Sequence, residues 1–379
     1  MMITFYNLWI WFALSTGLLN VPPSSPAVSV AAPSSESIAT AGKLDSLFQI
    51  FTRTGFNGNV LIARSGEVIY KHSFGYAELK SKKPLNLESA FQLASVSKQF
   101  TAMAILMLHE EGKLNVTDTI QKFFPEFPYK NITIRELLAH RAGLPEYMGF
   151  AGRYWHNRKR LMTNHDVMDM LIHDHPPRLF PPDKKYKYSN TGYAVLASVV
   201  EQVSGNPFDA FLEERVFHRL GMMHTYIGSY TQSIADEDKT KGHKRNRRPA
   251  GEDYLSGVLG DKGIYSTVED LYKWDQALYT EELVHQSTLA EAFTPASYDR
   301  RHDSSYGYGW RIDELDDGSK IVYHAGLWRG YTSLFVRRLS DKTAIIVLSN
   351  HINWSFRNID RLMDVLDSSK QATTLYGGE

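Results

Sequence analysis

The chain of 379 residues contains no cysteine, and its 42 basic side chains are balanced by 42 acidic ones. The absence of cysteine excludes disulfides, thiolate zinc sites, iron–sulfur clusters, a cysteine nucleophile and a lipid anchor on a thiol. A formal net charge of zero gives no electrostatic reason to expect nucleic acid as the main partner. The remaining composition, with 43% hydrophobic and 22% charged residues, is that of an ordinary folded protein.

Several catalytic motifs are also absent. The sequence has no G-x-S-x-G nucleophile elbow, no H-E-x-x-H zinc motif, no P-loop and no G-x-G-x-x-G dinucleotide-binding loop. Its 14 histidines show no metal-binding spacing supported by nearby carboxylates. These absences set aside the corresponding hydrolases, metalloproteases and nucleotide-binding proteins.

The first 42 residues differ from the rest of the chain, because Glu36 is their only charged side chain. Residues 3–19 are mostly apolar and have about the length of a signal-peptide core, although no Lys or Arg precedes them. Residues 20–42 are rich in Pro, Ser and Ala, as in a flexible tether, and contain small-residue cleavage sites. We predict export to the periplasm or the cell exterior, with residues 3–19 as the only membrane tether; an uncleaved apolar helix is the alternative.

Residues 43–379 are predicted to form one large domain with strands at both ends. One hairpin turns at Arg64-Ser65-Gly66, and three later strands begin at Lys320, Thr332 and Thr343. We predict an α+β fold in which an antiparallel sheet, built from both chain ends and flanked by helices, receives a mainly helical insertion at roughly residues 113–260. The basic run at residues 241–248 is interpreted as a solvated loop, because one short basic run in a chain of zero net charge gives too weak an electrostatic field to attract nucleic acid.

The most informative stretch is Ser95-Val96-Ser97-Lys98, the only S-x-x-K in the chain. About one such match is expected from composition alone, so the motif gains weight only because it lies where an extended segment enters a helix. The three-residue offset places the Ser95 hydroxyl and the Lys98 amine on one helical face. If burial lowers the pKa of Lys98 from ~10.4 towards neutrality, the amine can take the serine proton. The alternative is a helix-capping Ser95 beside a solvated Lys98.

Two further motifs favour the catalytic interpretation. Tyr188-Ser189-Asn190 is a Y-x-N before a predicted helix, whereas a second Y-x-N at Tyr129-Lys130-Asn131 lies in a polar turn and is treated as coincidental. His324-Ala325-Gly326 ends a predicted strand, where a polar side chain and a close-approach glycine can bind a substrate carboxylate or carbonyl. Lys342-Thr343-Ala344 is a weaker match, because it lacks the glycine and opens a later strand.

With these motifs in this order, the chain resembles the serine β-lactamase-like superfamily, and in particular class C β-lactamases, D-stereospecific peptidases and related carboxylesterases. The resemblance runs from about Gly58 to Leu348 and includes Leu137–Pro145, Gly263–Thr267 and Tyr306–Trp310. It implies a β-lactamase/transpeptidase-like fold. It also implies a serine hydrolase that forms an acyl-enzyme with an ester, a D-amino-acid peptide or, weakly, a β-lactam, and that needs no metal or organic cofactor.

The resemblance assigns roles to individual residues of this sequence. Ser95 is the expected nucleophile, and Lys98 and Tyr188 are the expected coupled base. Asn190 is expected to hydrogen-bond Lys98 and the acyl side of the substrate. The backbone N–H groups of Ser95 and Leu327 are expected to form the oxyanion hole.

The third motif departs from the K-T-G of class C β-lactamases. At His324-Ala325-Gly326 an imidazole, mostly neutral near pH 7, replaces a permanent ammonium, which argues against strong β-lactamase activity. If His324 binds an anionic substrate as imidazolium, the affinity should fall above pH ~6.5. The residues expected to shape the acyl pocket are Glu146, Tyr147, Trp328 and Arg329, and for Trp328 a purely packing role is an equal alternative.

Three other functions remain compatible with the sequence. A non-catalytic sensor of the same fold would bind cell-wall peptides or β-lactams, but the complete set of motifs argues against it. An acyltransferase would pass the acyl group to an alcohol or amine instead of water. A peptidoglycan-trimming carboxypeptidase would release terminal D-Ala from muropeptides.

Overall fold

The computed structural model describes residues 35–228, 239–353, 355–357 and 359–376. The predicted signal-like segment at residues 3–19 and the tether up to residue 34 lie outside these ranges. No helix within them combines the length and the apolar character that a bilayer crossing requires.

Thirteen strands occur in the described part of the chain: β1 (Gly58–Arg64), β2 (Glu67–Phe74), β3 (Tyr76–Glu78), β4 (Lys83–Pro84), β5 (Phe91–Gln92), β6 (Tyr226–Ile227), β7 (Ile264–Ser266), β8 (Ser297–Asp299), β9 (Ser304–Tyr306), β10 (Arg311–Glu314), β11 (Lys320–Trp328), β12 (Tyr331–Arg338) and β13 (Thr343–Ser349). The helices are α1 (Ser35–Arg53), α2 (Lys98–Glu110), α3 (Ile134–Leu138), α4 (Tyr147–Tyr154), α5 (Asn164–Asp169), α6 (Asn190–Ser204), α7 (Phe208–Leu212), α8 (Val268–Ala277), α9 (Gln286–Ala292) and α10 (Ile359–Tyr376).

The main sheet is built from both ends of the chain, as predicted. It has eight antiparallel strands in the order β2-β1-β13-β12-β11-β10-β9-β8, so that β1 from the N-terminal hairpin pairs with β13 from the C-terminal strands. The hairpin turns at Ser65 and Gly66, which have φ values of 53° and 83°. Two consecutive positive φ angles are typical of the type I′ turn that joins two-residue hairpins.

The two faces of this sheet bury different sets of side chains. Along β1, Val60 and Ile62 belong to the cluster that packs under α1 and α10, whereas Leu61 and Ala63 belong to the larger cluster on the opposite face. The same alternation continues along β13, as the two-residue period of a strand requires. The sheet is therefore covered on both sides, and the α+β class predicted from the sequence is confirmed.

The middle of the chain is helical, as predicted, with α3 to α7 between α2 and β7. At the N-terminus, α1 begins at Ser35, so the boundary predicted at residues 42 and 43 falls inside a helix. Its N-terminal part is rich in Ala and Ser like the preceding segment, but Ala favours helix and Thr40 is only 2% exposed. Composition alone could not separate this part of α1 from the tether.

Candidate active site

Ser95 lies in a tight turn that leads into α2. The turn Ala94–Ser97 is a 3-10 helix that precedes α2 directly, and Ala94 adopts a φ of 49°. The Leu93 N–H donates to the carbonyl of Ile264 at 2.8 Å, which fixes the turn against β7. Ser95 is inside the turn and does not cap it. Its N–H therefore belongs to the first turn of a helical segment, where N–H groups have no intrahelical acceptor.

Lys98 lies beside Ser95 and is completely buried. Its Nζ is 3.2 Å from Ser95 Oγ and 2.9 Å from Asn190 Oδ1. It also donates to the main-chain carbonyl of Asp261 at 2.9 Å. Burial lowers the pKa of Lys98 to about 8, although two nearby carboxylates oppose the shift. The solvated alternative for Lys98 is therefore wrong, and its amine is neutral in a substantial fraction of molecules near pH 8.

The Y-x-N motif meets these residues from the start of α6. Ser189 caps this helix by accepting a hydrogen bond from the Gly192 N–H at 3.4 Å, which places Asn190 in the first turn beside Lys98. The Tyr188 hydroxyl is buried and faces the Ser95 hydroxyl without a well-aligned hydrogen bond. Burial raises the pKa of Tyr188 above its ordinary value, and Ser95 partly opposes the rise. Tyr188 is therefore a neutral phenol, which can relay a proton but is a weak base.

His140 supports Tyr188 and was given no role by the sequence. The two rings have centroids 4.3 Å apart, and His140 Nδ1 accepts a hydrogen bond from the Ser189 N–H at 3.2 Å. Burial holds the pKa of His140 well below its ordinary value, so the imidazole is neutral. The only sequence signal for it is its place in the stretch Leu137–Pro145.

The third motif forms the opposite wall of the site on β11. A Cβ at Gly326 would lie 2.3 Å from the Leu93 carbonyl oxygen and 2.4 Å from Ser333 Oγ. Only glycine therefore lets β11 approach the turn that carries Ser95, as the close-approach argument predicts. Leu327 follows with its side chain 43% exposed, next to Ser95 in the wall of the cleft.

The hydrogen-bonding pattern of β11 leaves the N–H of Leu327 available. β11 and β12 are joined by a two-residue turn at residues 329–330, and the pair next to such a turn exchanges both hydrogen bonds. Leu327, opposite Thr332, is in the following pair, so its N–H is directed away from β12. The pairing of β11 with β10 stops at Tyr323. Among the described strands, none therefore accepts a ladder hydrogen bond from Leu327.

His324 lies beside Tyr188, with the two ring centroids 6.1 Å apart. Its side chain is 2% exposed, and its Nε2 is 3.0 Å from the Tyr306 hydroxyl. Its Nδ1 is 2.8 Å from the Ala325 carbonyl, which can only accept, so Nδ1 carries a hydrogen. Both ring nitrogens thus have partners within the protein, and binding of an anionic substrate by His324 stays a prediction. The alternation of side chains along β11 places His324 on the same face as Gly326, which approaches the turn that carries Ser95.

A second charged group, absent from the sequence predictions, lies next to Lys98. Asp261 and Lys262 follow Gly260 and are 1% and 3% exposed. Glu146, predicted to shape the pocket, accepts a hydrogen bond from the Asn190 N–H at 2.9 Å. Burial raises the pKa of Glu146 to about 7. These three side chains add further titratable groups to the small region around Lys98.

A cleft of about 470 Å³ opens over the serine. Its walls include Ser95, Met148, Asn190, Lys262, Leu327 and Trp328. A larger cavity of about 740 Å³ lies around Arg135 and Glu291, but no serine, lysine or tyrosine arrangement of the predicted kind lines it. The side chains that line the two cavities therefore identify the smaller cleft as the candidate active site. Within the described ranges, no three His, Asp or Glu side chains gather as in a metal site.

The two rival motifs lie elsewhere in the fold. The Tyr129 hydroxyl donates to the Pro176 carbonyl at 2.6 Å in the hydrophobic core, and Lys342 lies in the turn that opens β13. The structure thus brings Ser95, Lys98, Tyr188 and Asn190 together and excludes both rivals.

Comparison with known proteins gives matches over most of the chain. The family described as Beta-lactamase matches residues 50–367. The chain is 36% identical to "Penicillin-binding protein 4*" of Bacillus subtilis (strain 168), over 78% of this chain and 68% of that protein. It is 24% identical to a D-aminopeptidase of Cereibacter sphaeroides, over 81% of this chain and 59% of that enzyme.

Among solved structures, a penicillin-binding protein from Bacillus halodurans superposes with a TM-score of 0.73 at 25% identity. The match covers 85% of this chain and 98% of that one. The fold is thus the β-lactamase and penicillin-binding protein fold that the sequence predicts. The chain belongs to the beta-lactamase family and so to the serine hydrolases of that superfamily.

Proposed function

We propose that the protein hydrolyses ester or amide bonds through an acyl-enzyme formed on Ser95. The observation that carries the proposal is the hydrogen-bonded chain Ser95–Lys98–Asn190, with a partly neutral amine 3.2 Å from the serine oxygen at the wall of a cleft. A serine is a weak nucleophile unless an adjacent base takes its proton, and Lys98 is that base.

In the acylation step, Ser95 Oγ attacks the substrate carbonyl carbon while its proton passes to Lys98, directly or through Tyr188. The bond to the leaving group then breaks, and the same proton goes to the departing alcohol or amine. Water attacks the acyl-enzyme and gives up its proton along the same path, releasing the carboxylic acid and Ser95. The high pKa of Tyr188 makes it a relay for the proton, with Lys98 as the acceptor.

The negative charge that develops on the carbonyl oxygen needs two donors. The N–H groups of Ser95 and Leu327 fit this role, because the first belongs to the opening turn of a helical segment and the second has no strand partner among the described residues. Loss of one such donor typically costs ~3 kcal/mol of barrier. Both are backbone groups, held in register by the close approach at Gly326.

The substrates that we propose are small esters and peptides or amides of D-amino acids, with weak turnover of β-lactams. The wall formed by Met148, Leu327 and Trp328 suits an apolar acyl group, and the similarity to a D-aminopeptidase supports D-amino-acid substrates. The buried His324, in place of a lysine, offers no permanent cation to a β-lactam carboxylate.

A second candidate function is stable acylation by penicillin without rapid turnover. It is favoured by the 36% identity to "Penicillin-binding protein 4*". A labelled penicillin that remains covalently attached to Ser95 for hours, with no ester turnover, would support this candidate over hydrolysis. Release of terminal D-Ala from muropeptides would indicate a carboxypeptidase, and product transfer to an added alcohol would indicate an acyltransferase.

The first experiment is turnover of a short p-nitrophenyl ester by the full chain. We expect hydrolysis that is lost in Ser95→Ala and retained in Ser97→Ala, a matched control two residues away in the same turn whose side chain accepts a long hydrogen bond from the Ile264 N–H. Equal rates for wild type and Ser95→Ala would contradict the proposal. Export, proposed from residues 3–19, is tested by fractionating cells that express the full chain.

A further inference from the structure

A second buried lysine and tyrosine lie next to the Ser95 site. Lys262 is 3% exposed and Tyr147 is fully buried, and the Lys262 ammonium donates a hydrogen bond to the Tyr147 hydroxyl. The hydroxyl donates in turn to Asp261 Oδ2 at 3.2 Å, and Lys262 Nζ lies 3.3 Å from Asp261 Oδ1. Burying an ion pair is costly, and the proposed acyl-transfer steps use none of these side chains.

Asp261 connects this group to the catalytic lysine. Its main-chain carbonyl accepts the hydrogen bond from Lys98 Nζ at 2.9 Å, while its carboxylate is held by Lys262 and Tyr147. One residue therefore touches both buried lysines, through its backbone on one side and its side chain on the other. The second lysine also lies with its Nζ 4.8 Å from the centroid of the Trp328 ring, in the wall of the cleft.

The backbone around Asp261 has little freedom to move. Gly260 has a φ of 95°, and a Cβ there would lie 2.4 Å from the Tyr193 carbonyl oxygen. The Gly260 carbonyl also accepts a hydrogen bond from the Thr101 hydroxyl at 2.7 Å. On the other side, Gly263 has a φ of 103°. The carbonyl that faces Lys98 is thus part of a loop with closely defined geometry.

The charges around Lys98 come from several segments that pack against it. The titratable groups facing it are His140, Glu146, Tyr188, Tyr193, Asp261 and Lys262. The two carboxylates favour the protonated form of Lys98 and raise its pKa, whereas His140 and the two tyrosines are neutral. Burial lowers the pKa of Lys262 and the adjacent Asp261 carboxylate raises it; within this set, the Lys262 amine is the basic group in contact with that carboxylate, at 3.3 Å.

We propose that Lys262 is a positioning residue of the hydrolytic site, which neutralises the Asp261 carboxylate and, together with Tyr147, holds the Asp261 carbonyl against Lys98. The inference rests on the proposed function, because it concerns the amine that activates Ser95. Lys262 acts through Asp261 and touches no reacting atom. Its consequence is that Lys98 loses its proton at a lower pH than it would beside an unpaired carboxylate.

The test is the pH dependence of kcat/KM for a p-nitrophenyl ester with Lys262→Met. Removing the ammonium leaves the Asp261 carboxylate to favour protonated Lys98, so we expect the rise of activity to move to higher pH by about one unit or more. Activity at pH 7 should fall by about tenfold and recover at alkaline pH. Lys244→Met is the matched control, because Lys244 lines the same cleft but is exposed, and its profile should keep the wild-type midpoint.

A second pair of variants separates this role from general damage. Asp261→Asn removes the negative charge and should move the profile to lower pH, and the double variant Asp261→Asn/Lys262→Met should return it towards wild type. A uniform fall of kcat/KM at every pH, or a shift of Asp261→Asn to higher pH, would overturn the inference. If Lys262→Met does not fold, as judged by circular dichroism, the direction in which the pH profile of Asp261→Asn shifts tests the inference instead. Ester turnover that survives in Ser95→Ala would instead overturn the proposed function.

Discussion

The two faces of the main sheet bury residues of different character. Under α1 and α10 the contacts are mainly between apolar side chains, with Phe48 in ring contact with Phe51, Phe56 and Phe74. The opposite face buries Lys98, Asp261 and Lys262, and it also holds the buried ion pair of Arg337 with Asp275. Hydrophobic burial stabilises both faces, but only the second contains charges whose protonation can change a reaction. We therefore expect substitutions under α1 and α10 to change the free energy of unfolding, and substitutions on the opposite face to change the rate of the reaction.

The largest expected effect comes from the nucleophile. Ser95→Ala should reduce kcat for ester hydrolysis by at least about 1,000-fold, since removal of a catalytic serine leaves only binding and oxyanion stabilisation. The free energy of unfolding should change by less than about 1 kcal/mol, because Ser95 is partly exposed in a short turn. Steady-state kinetics and urea unfolding measure the two quantities. A large loss of stability would mean that the two faces are not separable in this way.

Phe48→Ala should show the reverse pattern. Phe48 is fully buried under the sheet, so truncation should lower the free energy of unfolding by about 3–5 kcal/mol. At a temperature where the variant remains folded, kcat should stay within about twofold of wild type, because the cavity lies on the face away from Ser95. Thermal melting measures the loss of stability, and steady-state kinetics on the folded variant measures kcat. A variant that is stable but inactive would contradict the comparison.

Gly326→Ala tests whether the close approach of β11 to the Ser95 turn is needed for activity. The added methyl group would meet the Leu93 carbonyl oxygen and Ser333 Oγ, so β11 has to move away from the turn that carries Ser95. We expect a fall of about 10- to 100-fold in kcat with little change in KM, because misplacement of oxyanion donors affects the transition state most. Gly318→Ala, at an open turn before β11, is the control for activity. Equal activity of Gly326→Ala and wild type would argue against an oxyanion role for Leu327.

The smallest predicted effect is the pH dependence of the wild-type protein. Because burial lowers the pKa of Lys98 to about 8, the neutral amine increases as the pH rises through that value. Between pH 7 and pH 9, kcat/KM should increase by about tenfold and then level off. The apparent pKa belongs to the coupled Lys98–Tyr188 pair. A profile that is flat over this range would show that neither group limits the reaction.

Local patterns in the sequence predicted the central strands of the main sheet and the residues that meet at the candidate site, for identifiable reasons. Continuous apolar runs mark β1, β12 and β13, because each strand is buried on both faces of the sheet. The S-x-x-K and Y-x-N motifs each lie within one turn of a helix start. Such features depend on neighbours a few residues apart, so sequence spacing carries them.

Other features depend on contacts between distant segments. Asp261 reaches Lys98 across a separation of 163 residues, and no local pattern marks Asp261-Lys262 as part of the site. His324 lies beside Tyr188 and contacts Tyr306 on β9, two strands away in the sheet, and sequence spacing reveals neither contact. The start of α1 at Ser35 depends on the burial of residues such as Thr40 against the rest of the protein. The Ala- and Ser-rich composition of this segment does not reveal that burial.

The pairing of β1 with β13 has a consequence for how the chain acquires its structure. The Ser349 hydroxyl donates to the Asn57 carbonyl, 292 residues away, so the centre of the sheet cannot form until the last strands have been synthesised. Contacts of such long range slow folding, since a large loop must close before they form. Until then β1 has an open edge that can pair with other chains. Truncation before Thr343 should therefore leave a protein that aggregates, even though every residue proposed to act in catalysis is still present.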